Sequence, residues 1–260
     1  EGALDISDPA SLLAAAVAGL GIVQVPEILA RDAMQDGRLQ AVGTEALPIS
    51  FNPASSEWES VQLLAGSGPS EIAYANFAGG GSGRREMLGL AGDKADVHHS
   101  NFLAGSGVGV EVKADAAPSL RFNRFDGCTV SQALPPAALR LLKGSRPVVR
   151  GNYFLKNVLA MQMDASASPS LDGNRFDYNG HNGITVSGTV TGRTTLASLG
   201  PRRWSYRVDG NGFLVDQGGT LTLLAGTPAL TFTAPAKPAP SAARATPASP
   251  LSPGRIPSGR

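Results

Sequence analysis

The chain has 260 residues, a formal net charge of +1 and only 17% charged residues, so composition argues against a whole-molecule attraction to nucleic acid. Its single cysteine excludes an internal disulfide and a cysteine metal cluster. The sequence has no run of about 20 apolar residues, which is the length that a membrane-spanning helix requires.

Residues 1–48 predict an α/β segment that differs from the rest of the chain. Asp8-Pro9 is typical of a helix start, and Leu12, Leu13, Ala16 and Val17 then fall on one helical face. An apolar strand over 20–25, a helix from Pro26 and a strand over 39–42 complete an α-β-α-β order. Because the chain lacks an initiator methionine and a leader, we expect its natural start to be missing.

Four short motifs in this segment form a set: Ala18-Gly-Leu-Gly-Ile22, Pro26, Ala30-Arg-Asp-Ala33 and Gly37-Arg-Leu39. The set resembles part of the effector-binding domain of LysR-type transcriptional regulators, where the stretch is scaffold near the effector cleft. The DNA-binding helices and the rest of that domain are missing, and about 45 residues cannot enclose a ligand. We interpret the segment as a relic, a fusion product or a cap; a regulator fragment is the third functional alternative.

A sequence pattern repeats about every 22 residues in the middle of the chain. Its first signature occurs as Pro118-Ser-Leu-Arg-Phe-Asn123-Arg-Phe125, Pro147-Val-Val-Arg-Gly-Asn152-Tyr-Phe154 and Pro169-Ser-Leu-Asp-Gly-Asn174-Arg-Phe176. Its second signature, apolar-x-apolar, starts at positions 61, 88, 110, 139, 161 and 184. Short alternating strands broken by Gly, Pro and Asn predict a solenoid of stacked parallel coils.

The repeat predicts which side chains stack in columns. Phe125, Phe154 and Phe176 should form an interior column. Asn123, Asn152 and Asn174 should form a hydrogen-bonded ladder at a corner. Two insertions, over 78–86 and 126–137, should leave the solenoid at one shared corner. They indicate either a binding face or ordinary variation in loop length.

The C-terminal part extends the pattern more weakly and ends in a different composition. Alternation persists through Trp204-Ser-Tyr-Arg-Val208, Gly219-Thr-Leu-Thr-Leu223 and Leu230-Thr-Phe232. Residues 235–260 are rich in Pro, Ala and Ser, with Lys237, Arg244, Arg255, Arg260 and no acid. We predict a disordered basic tail there.

The Pro/Asn/Phe repeats, together with Gly218-Gly-Thr-Leu-Thr-Leu-Leu-Ala-Gly226, resemble bacterial right-handed parallel β-helix proteins of the pectate-lyase-like type. The resemblance covers residues 55–233. It implies an all-β chain built as a right-handed single-stranded parallel β-helix solenoid, with a short α/β segment before it and a disordered tail after it. Pectin-acting enzymes, phage tailspikes and adhesins share this fold, so it does not fix the function.

The repeat predicts which side chains point outward and line up on successive coils, in rows. These rows contain the candidate binding residues Arg121, Arg124, Arg150, Tyr153 and Arg175. We call these five residues the strip. Arginine binds oxyanions bidentately, so the strip would suit carboxylate or sulfate groups on an extended polymer. The alternative is an ordinary solvated face.

We predict no catalytic residue, no metal site and no cofactor. Asp164, Asp172 and Asp177 occupy different corners, so no convincing pair of carboxylates meets. His98-His99 in an alternating strand would point its two rings in opposite directions, which makes a poor metal site.

The sequence therefore predicts a structural or carbohydrate-binding module of a secreted or cell-surface protein. Its expected partner is an acidic polysaccharide or a cell-surface glycan, with no nucleic acid and no membrane span. A degenerate or partial polysaccharide lyase or glycoside hydrolase of the same fold is the alternative.

Overall fold

The computed structural model describes residues 40–53, 57–82, 85–129, 136–200, 204–224, 226 and 230–232. The named regular elements in these ranges are 22 β-strands, and neighbouring strands within each sheet pair in parallel. The predicted all-β parallel solenoid is therefore confirmed. No helix in the described ranges has the length and apolar character that crossing a membrane demands.

Three long sheets form the sides of the solenoid, and each of the first six described coils contributes one strand to each sheet. Sheet A contains β1 (Gln40–Val42), β4 (Ser70–Ala73), β7 (Ala95–His98), β10 (Ser119–Arg121), β13 (Val148–Arg150) and β16 (Ser170–Asp172). Sheet B contains β2 (Ile49–Phe51), β5 (Ala75–Ala78), β8 (Asn101–Leu103), β11 (Arg124–Asp126), β14 (Tyr153–Leu155) and β17 (Arg175–Asp177).

Sheet C has the longest strands: β3 (Val61–Leu63), β6 (Glu86–Leu90), β9 (Val108–Val112), β12 (Ala137–Leu141), β15 (Leu159–Asp164), β18 (His181–Val190), β20 (Ser205–Val215) and β22 (Leu230–Phe232). A small fourth sheet pairs β19 (Arg193–Leu196) with β21 (Thr220–Leu223). The apolar-x-apolar pairs lie in one register row of sheet C, from Val61 through Leu88, Val110, Leu139 and Met161 to Ile184. The predicted repeat register is confirmed.

The interior of sheet B is a continuous column of phenylalanine rings. The predicted members Phe125, Phe154 and Phe176 stack with ring centroids 4.8 and 5.1 Å apart. The column continues toward the N-terminus through Phe102, Phe77 and Phe51. Trp204 meets Phe176 edge-on and ends the column. The rings of Phe77, Phe102, Phe125, Phe154 and Phe176 are all buried, so the column is part of the hydrophobic core of the solenoid.

The predicted asparagine ladder lies at the corner between sheets A and B. The backbone N–H and the Nδ2 of Asn123 both donate to Oδ1 of Asn152, at 2.9 and 3.1 Å. Asn152 donates to Asn174 in the same way. The side chains of all three also donate to backbone carbonyls of the preceding coil, so each buried amide is satisfied at the turn.

A second ladder, which the sequence analysis missed, lies at the corner between sheets B and C. Asn157 donates through its backbone N–H and its Nδ2 to Oδ1 of Asn179, both at 2.9 Å. Asn179 donates to Asn182 by the same pair of groups. Hydrogen bonds of asparagine amides are therefore present at both ends of the short strands of sheet B.

The solenoid starts earlier in the chain than residue 55. Strand β1 pairs with β4, and β2 pairs with β5, so residues 40–51 form the first described coil. The predicted strand over 39–42 is thus a rung of the β-helix. The predicted helices and strand within 1–39, and the predicted tail over 235–260, lie outside the described residues.

Both insertions leave the solenoid between sheet B and sheet C. One follows β5 and precedes β6, and the other follows β11 and precedes β12. The coil between them turns this corner in the four residues between β8 and β9. The shared corner predicted from the sequence is therefore present, although residues 83–84 and 130–135 lie outside the described ranges.

Candidate functional site

The sheet A half of the strip consists of Arg121 and Arg150, which are direct partners in the parallel register. His98 precedes them in the same row and Asp172 follows them. Each arginine is ion-paired: Arg121 Nη2 lies 2.5 Å from Asp96, and Arg150 Nε lies 3.0 Å from Asp172. Arg150 is 60% exposed, so its pair faces solvent.

The sheet B half of the strip is centred on Tyr153. Arg124 and Arg175 are its register partners on the preceding and following coils. Their guanidinium carbons lie 5.8 and 5.0 Å from the centre of the tyrosine ring, which is cation–π distance. Arg124 also pairs with Asp126, and Arg175 with Asp177, two residues along their own strands.

The five strip residues therefore occupy two adjacent sheets rather than one flat face, with the asparagine ladder at the corner between them. Every arginine of the strip has an aspartate partner, so the surface carries alternating charges. The sequence repeat predicted the outward rows correctly. It did not predict the neutralising pairs, because three of the four aspartates, Asp96, Asp126 and Asp177, belong to other rows.

A cavity of about 490 Å³ lies at the C-terminal end of the strip. Its polar rim includes Asp172 and Arg175, and its apolar wall includes Leu199 and Trp204. Nothing in the repeat pattern predicts this cavity, because residues 197–204 do not follow the repeat.

Aromatic rings occupy the outward side of the corner between sheets A and B. Tyr74, His99 and Phe122 adopt left-handed backbone with φ near 50°, in three successive coils. Tyr74 stacks on His99 with centroids 5.0 Å apart, and His99 lies 5.3 Å from Phe122. Gly151 follows in the next coil, where a Cβ would lie 2.6 Å from the Phe122 ring. The signal for this stack was the position immediately before Asn123 and before its equivalents on the two preceding coils, Ser100 and Ala75.

The expected opposite orientation of His98 and His99 is wrong. Their Nδ1 atoms lie 3.0 Å apart, and their rings are nearly perpendicular at 88°. The reason is that β7 ends at His98, and the φ of 51° at His99 breaks the alternation of the strand. Within the described ranges no group of three or more His, Cys, Asp or Glu side chains is placed to hold a metal ion.

The outer face of sheet C carries a chain of buried and half-buried polar groups that the sequence analysis missed. Lys113 Nζ donates to Glu86 at 2.5 Å and to Glu111 at 2.7 Å. Gln62 also donates to Glu86, and Arg140 bridges Glu111 to the next coil. Two carboxylates thus meet at one ammonium group, contrary to the expectation that no pair of acids would converge.

This arrangement depends on Gly89, where a Cβ would lie 2.3 Å from Gln62 Oε1 and 2.5 Å from Glu86 Oε1. Burial alone would raise the pKa of Glu86, but hydrogen bonds from Lys113 and Gln62 outweigh it and lower that pKa. Burial alone would lower the pKa of Lys113, but its bonds to Glu111 and Glu86 raise it. Glu86 therefore stays ionised and Lys113 stays protonated, so neither is poised for general acid–base chemistry.

Comparison with known proteins gives one match. The family model described as right handed beta helix region matches residues 80–198, which contain the strands from β6 to β19 and the whole strip. No curated protein and no solved structure matches the chain. The matched region does not include residues 1–48, so the resemblance to LysR-type regulators is not supported. The parallel register of the coils and this family match together show that the chain is a right-handed parallel β-helix repeat protein.

Proposed function

We propose that the protein is a carbohydrate-binding module of a secreted or cell-surface protein, and that an acidic polysaccharide binds along the strip. The observation that carries the proposal is the row Arg124–Tyr153–Arg175, in which an aromatic ring lies between two guanidinium groups on successive coils. Such a row offers a phenol hydroxyl and bidentate oxyanion donors at the spacing of the coils, about 4.8 Å.

The aspartate partners do not prevent such binding. A guanidinium group has five N–H donors, so one aspartate leaves donors for a second oxyanion. Exposed ion pairs contribute only about 0–1 kcal/mol, so rearranging them for a ligand costs little. The aspartates can also accept hydrogen bonds from sugar hydroxyl groups. The cavity beside Asp172 and Arg175 gives room for a sugar unit at the end of the strip.

An enzyme of the same fold is less well supported. The converging acids Glu86 and Glu111 are the best candidates, yet a glycosidase needs one of its two carboxyl groups protonated. The lowered pKa of Glu86 opposes that role. A lyase needs a neutral base, and the raised pKa of Lys113 opposes a lysine in that role.

The proposal is tested with the full chain, in which Lys237, Arg244, Arg255 and Arg260 are changed to Gln so that the tail cannot hold an acidic polymer by charge alone. We expect this protein to bind polygalacturonate, with affinity that falls as salt rises, because exposed charges are screened over about 8 Å at physiological ionic strength. A neutral glucan should not compete. Absence of binding to any acidic polysaccharide would contradict the proposal, and new ultraviolet absorbance from unsaturated ends would show a lyase instead.

A further inference from the structure

We propose that His98 and His99 form a binding site for a divalent transition-metal ion, with Cu²⁺ preferred and water completing the coordination. The site lies at the corner between sheets A and B, and the argument for it does not rest on the proposed glycan binding.

The two imidazole nitrogens have the separation that a metal ion requires. Their Nδ1 atoms are 3.0 Å apart and the rings are nearly perpendicular. An ion about 2.0 Å from each nitrogen would see them at an angle of about 95°. That angle is close to the cis angle of a tetragonal centre, and nitrogen ligands in tetragonal geometry favour Cu²⁺.

The fold places both rings before any ion arrives. Strand β7 ends at His98, and the left-handed backbone of His99 turns its ring back toward its neighbour. The His99 ring is held between Tyr74, which stacks on it at 5.0 Å, and Phe122 at 5.3 Å. Because stacking already restricts the ring, binding an ion should cost little additional conformational entropy.

A histidine that binds a metal ion commonly donates the proton of its other ring nitrogen to a carboxylate, and Glu71 is placed to accept that hydrogen bond from His98. Its Oε1 lies 3.0 Å from Nε2 of His98. A proton on Nε2 donates to this carboxylate, which leaves the lone pair of His98 on Nδ1. The tautomer that satisfies both contacts without metal carries the His99 proton on Nδ1, which donates to that lone pair. With metal bound, the His99 proton lies on its own Nε2 instead, so both Nδ1 lone pairs face the ion and no proton is lost overall.

The surrounding charges favour a cation. Glu71 and Asp96 bring two negative charges to this corner, and Arg121, which pairs with Asp96, brings one positive charge. With neutral imidazoles the cluster carries one net negative charge, which attracts a divalent ion.

The test is a titration of the full chain with Cu²⁺ at neutral pH. Calorimetry measures the stoichiometry and affinity, and the nitrogen couplings in the electron paramagnetic resonance spectrum identify the ligands. We expect one ion per chain, with couplings from two imidazoles. Glu71→Gln keeps both ligands and should weaken binding about 10–100-fold, the usual effect of losing such a partner. The double change His98→Gln/His99→Gln should abolish the two-imidazole spectrum.

The sequence offers a matched control, since its only other histidine is His181. His181→Gln should leave stoichiometry, affinity and spectrum unchanged. Circular dichroism of each variant establishes that its fold is intact. The proposal is overturned if the double variant retains one tightly bound Cu²⁺ with the same couplings, if His181→Gln removes the spectrum, or if folded Glu71→Gln binds as tightly as the parent.

Discussion

At the scale of single residues, position within the coil decides what each side chain contributes. The same residue type has different roles inside and outside: Phe154 is fully buried in the core column, whereas Phe122 is 49% exposed at the outer corner. Asparagine is needed at the ladder because its amide both donates and accepts, which satisfies buried backbone groups between coils.

Changing Phe154 to Ala should lower the free energy of unfolding by about 3–5 kcal/mol, because it empties an aromatic site between Phe125 and Phe176. Phe122→Ala is the matched control and should cost much less, because its ring is half exposed. Denaturant unfolding curves measure both. A loss under about 1 kcal/mol for Phe154→Ala would be inconsistent with a packed column.

Histidine 181 should make stability depend on pH. Burial, and to a smaller degree the charge of Arg207, lower its pKa to about 4 in the folded protein. In the unfolded chain an imidazole titrates near pH 6.5, so the unfolded state takes up the proton first as pH falls. Stability should therefore drop between about pH 6.5 and 4, by about 1–2 kcal/mol after allowing for partial solvent screening.

Comparing the parent with His181→Gln isolates this effect, since other groups titrate alike in both proteins. The difference in unfolding free energy between them should change across pH 4–7, with the parent losing more as the solution becomes acidic. A difference that stays constant over this range would show that His181 has the same pKa in both states.

At the scale of elements, the sequence predicted features that recur at least three times. The phenylalanine column and the first asparagine ladder each had three aligned copies, and their positions are confirmed. The second ladder was missed because Asn157, Asn179 and Asn182 do not keep one spacing. The converging acids on sheet C were missed because Glu86 and Lys113 lie outside the repeated pairs, although Glu111 lies within one.

The repeat also did not predict the side-chain partners, because only one of the four ion pairs of the strip, Arg150–Asp172, joins direct register partners. Arg121 binds Asp96, which faces Ser119 in the register and not Arg121 itself. Likewise, one residue in left-handed conformation was enough to bring His98 and His99 together. A strand pattern carries no signal for such local exceptions.

The shared corner of the two insertions predicts a crosslink. Cysteines at Ser82 and Thr129 should lie two coils apart, about 10 Å, and should react together with a short bifunctional reagent. The natural Cys128 need not be removed, because burial raises its pKa to about 12 and keeps it unreactive in the folded protein.

A cysteine at Ser168, on the corner between sheets C and A, is the control partner for Ser82 and should give no crosslink. Mass spectrometry of the folded, digested protein would identify the linked peptides. Equal yields from the two pairs would mean that the insertions do not share a corner.

At the scale of the whole molecule, the surface is charge-balanced, both in the net charge of +1 and within the strip. A balanced face should bind an acidic polymer through many weak contacts spread along the coils, and no single residue should dominate. Local geometry, rather than overall charge, should therefore decide affinity.

The most direct test compares two triple variants of the tail-neutralised chain. Arg121→Ala/Arg150→Ala/Arg175→Ala removes three strip cations, and Arg85→Ala/Lys143→Ala/Arg193→Ala removes three exposed cations elsewhere. Both lose the same charge, so long-range attraction changes equally. At about 0.5–2 kcal/mol per charge-assisted contact, the strip variant should bind polygalacturonate at least about tenfold more weakly than the control variant, with unchanged folding. Equal affinity of the two variants would contradict the account and would leave the strip as ordinary solvated surface.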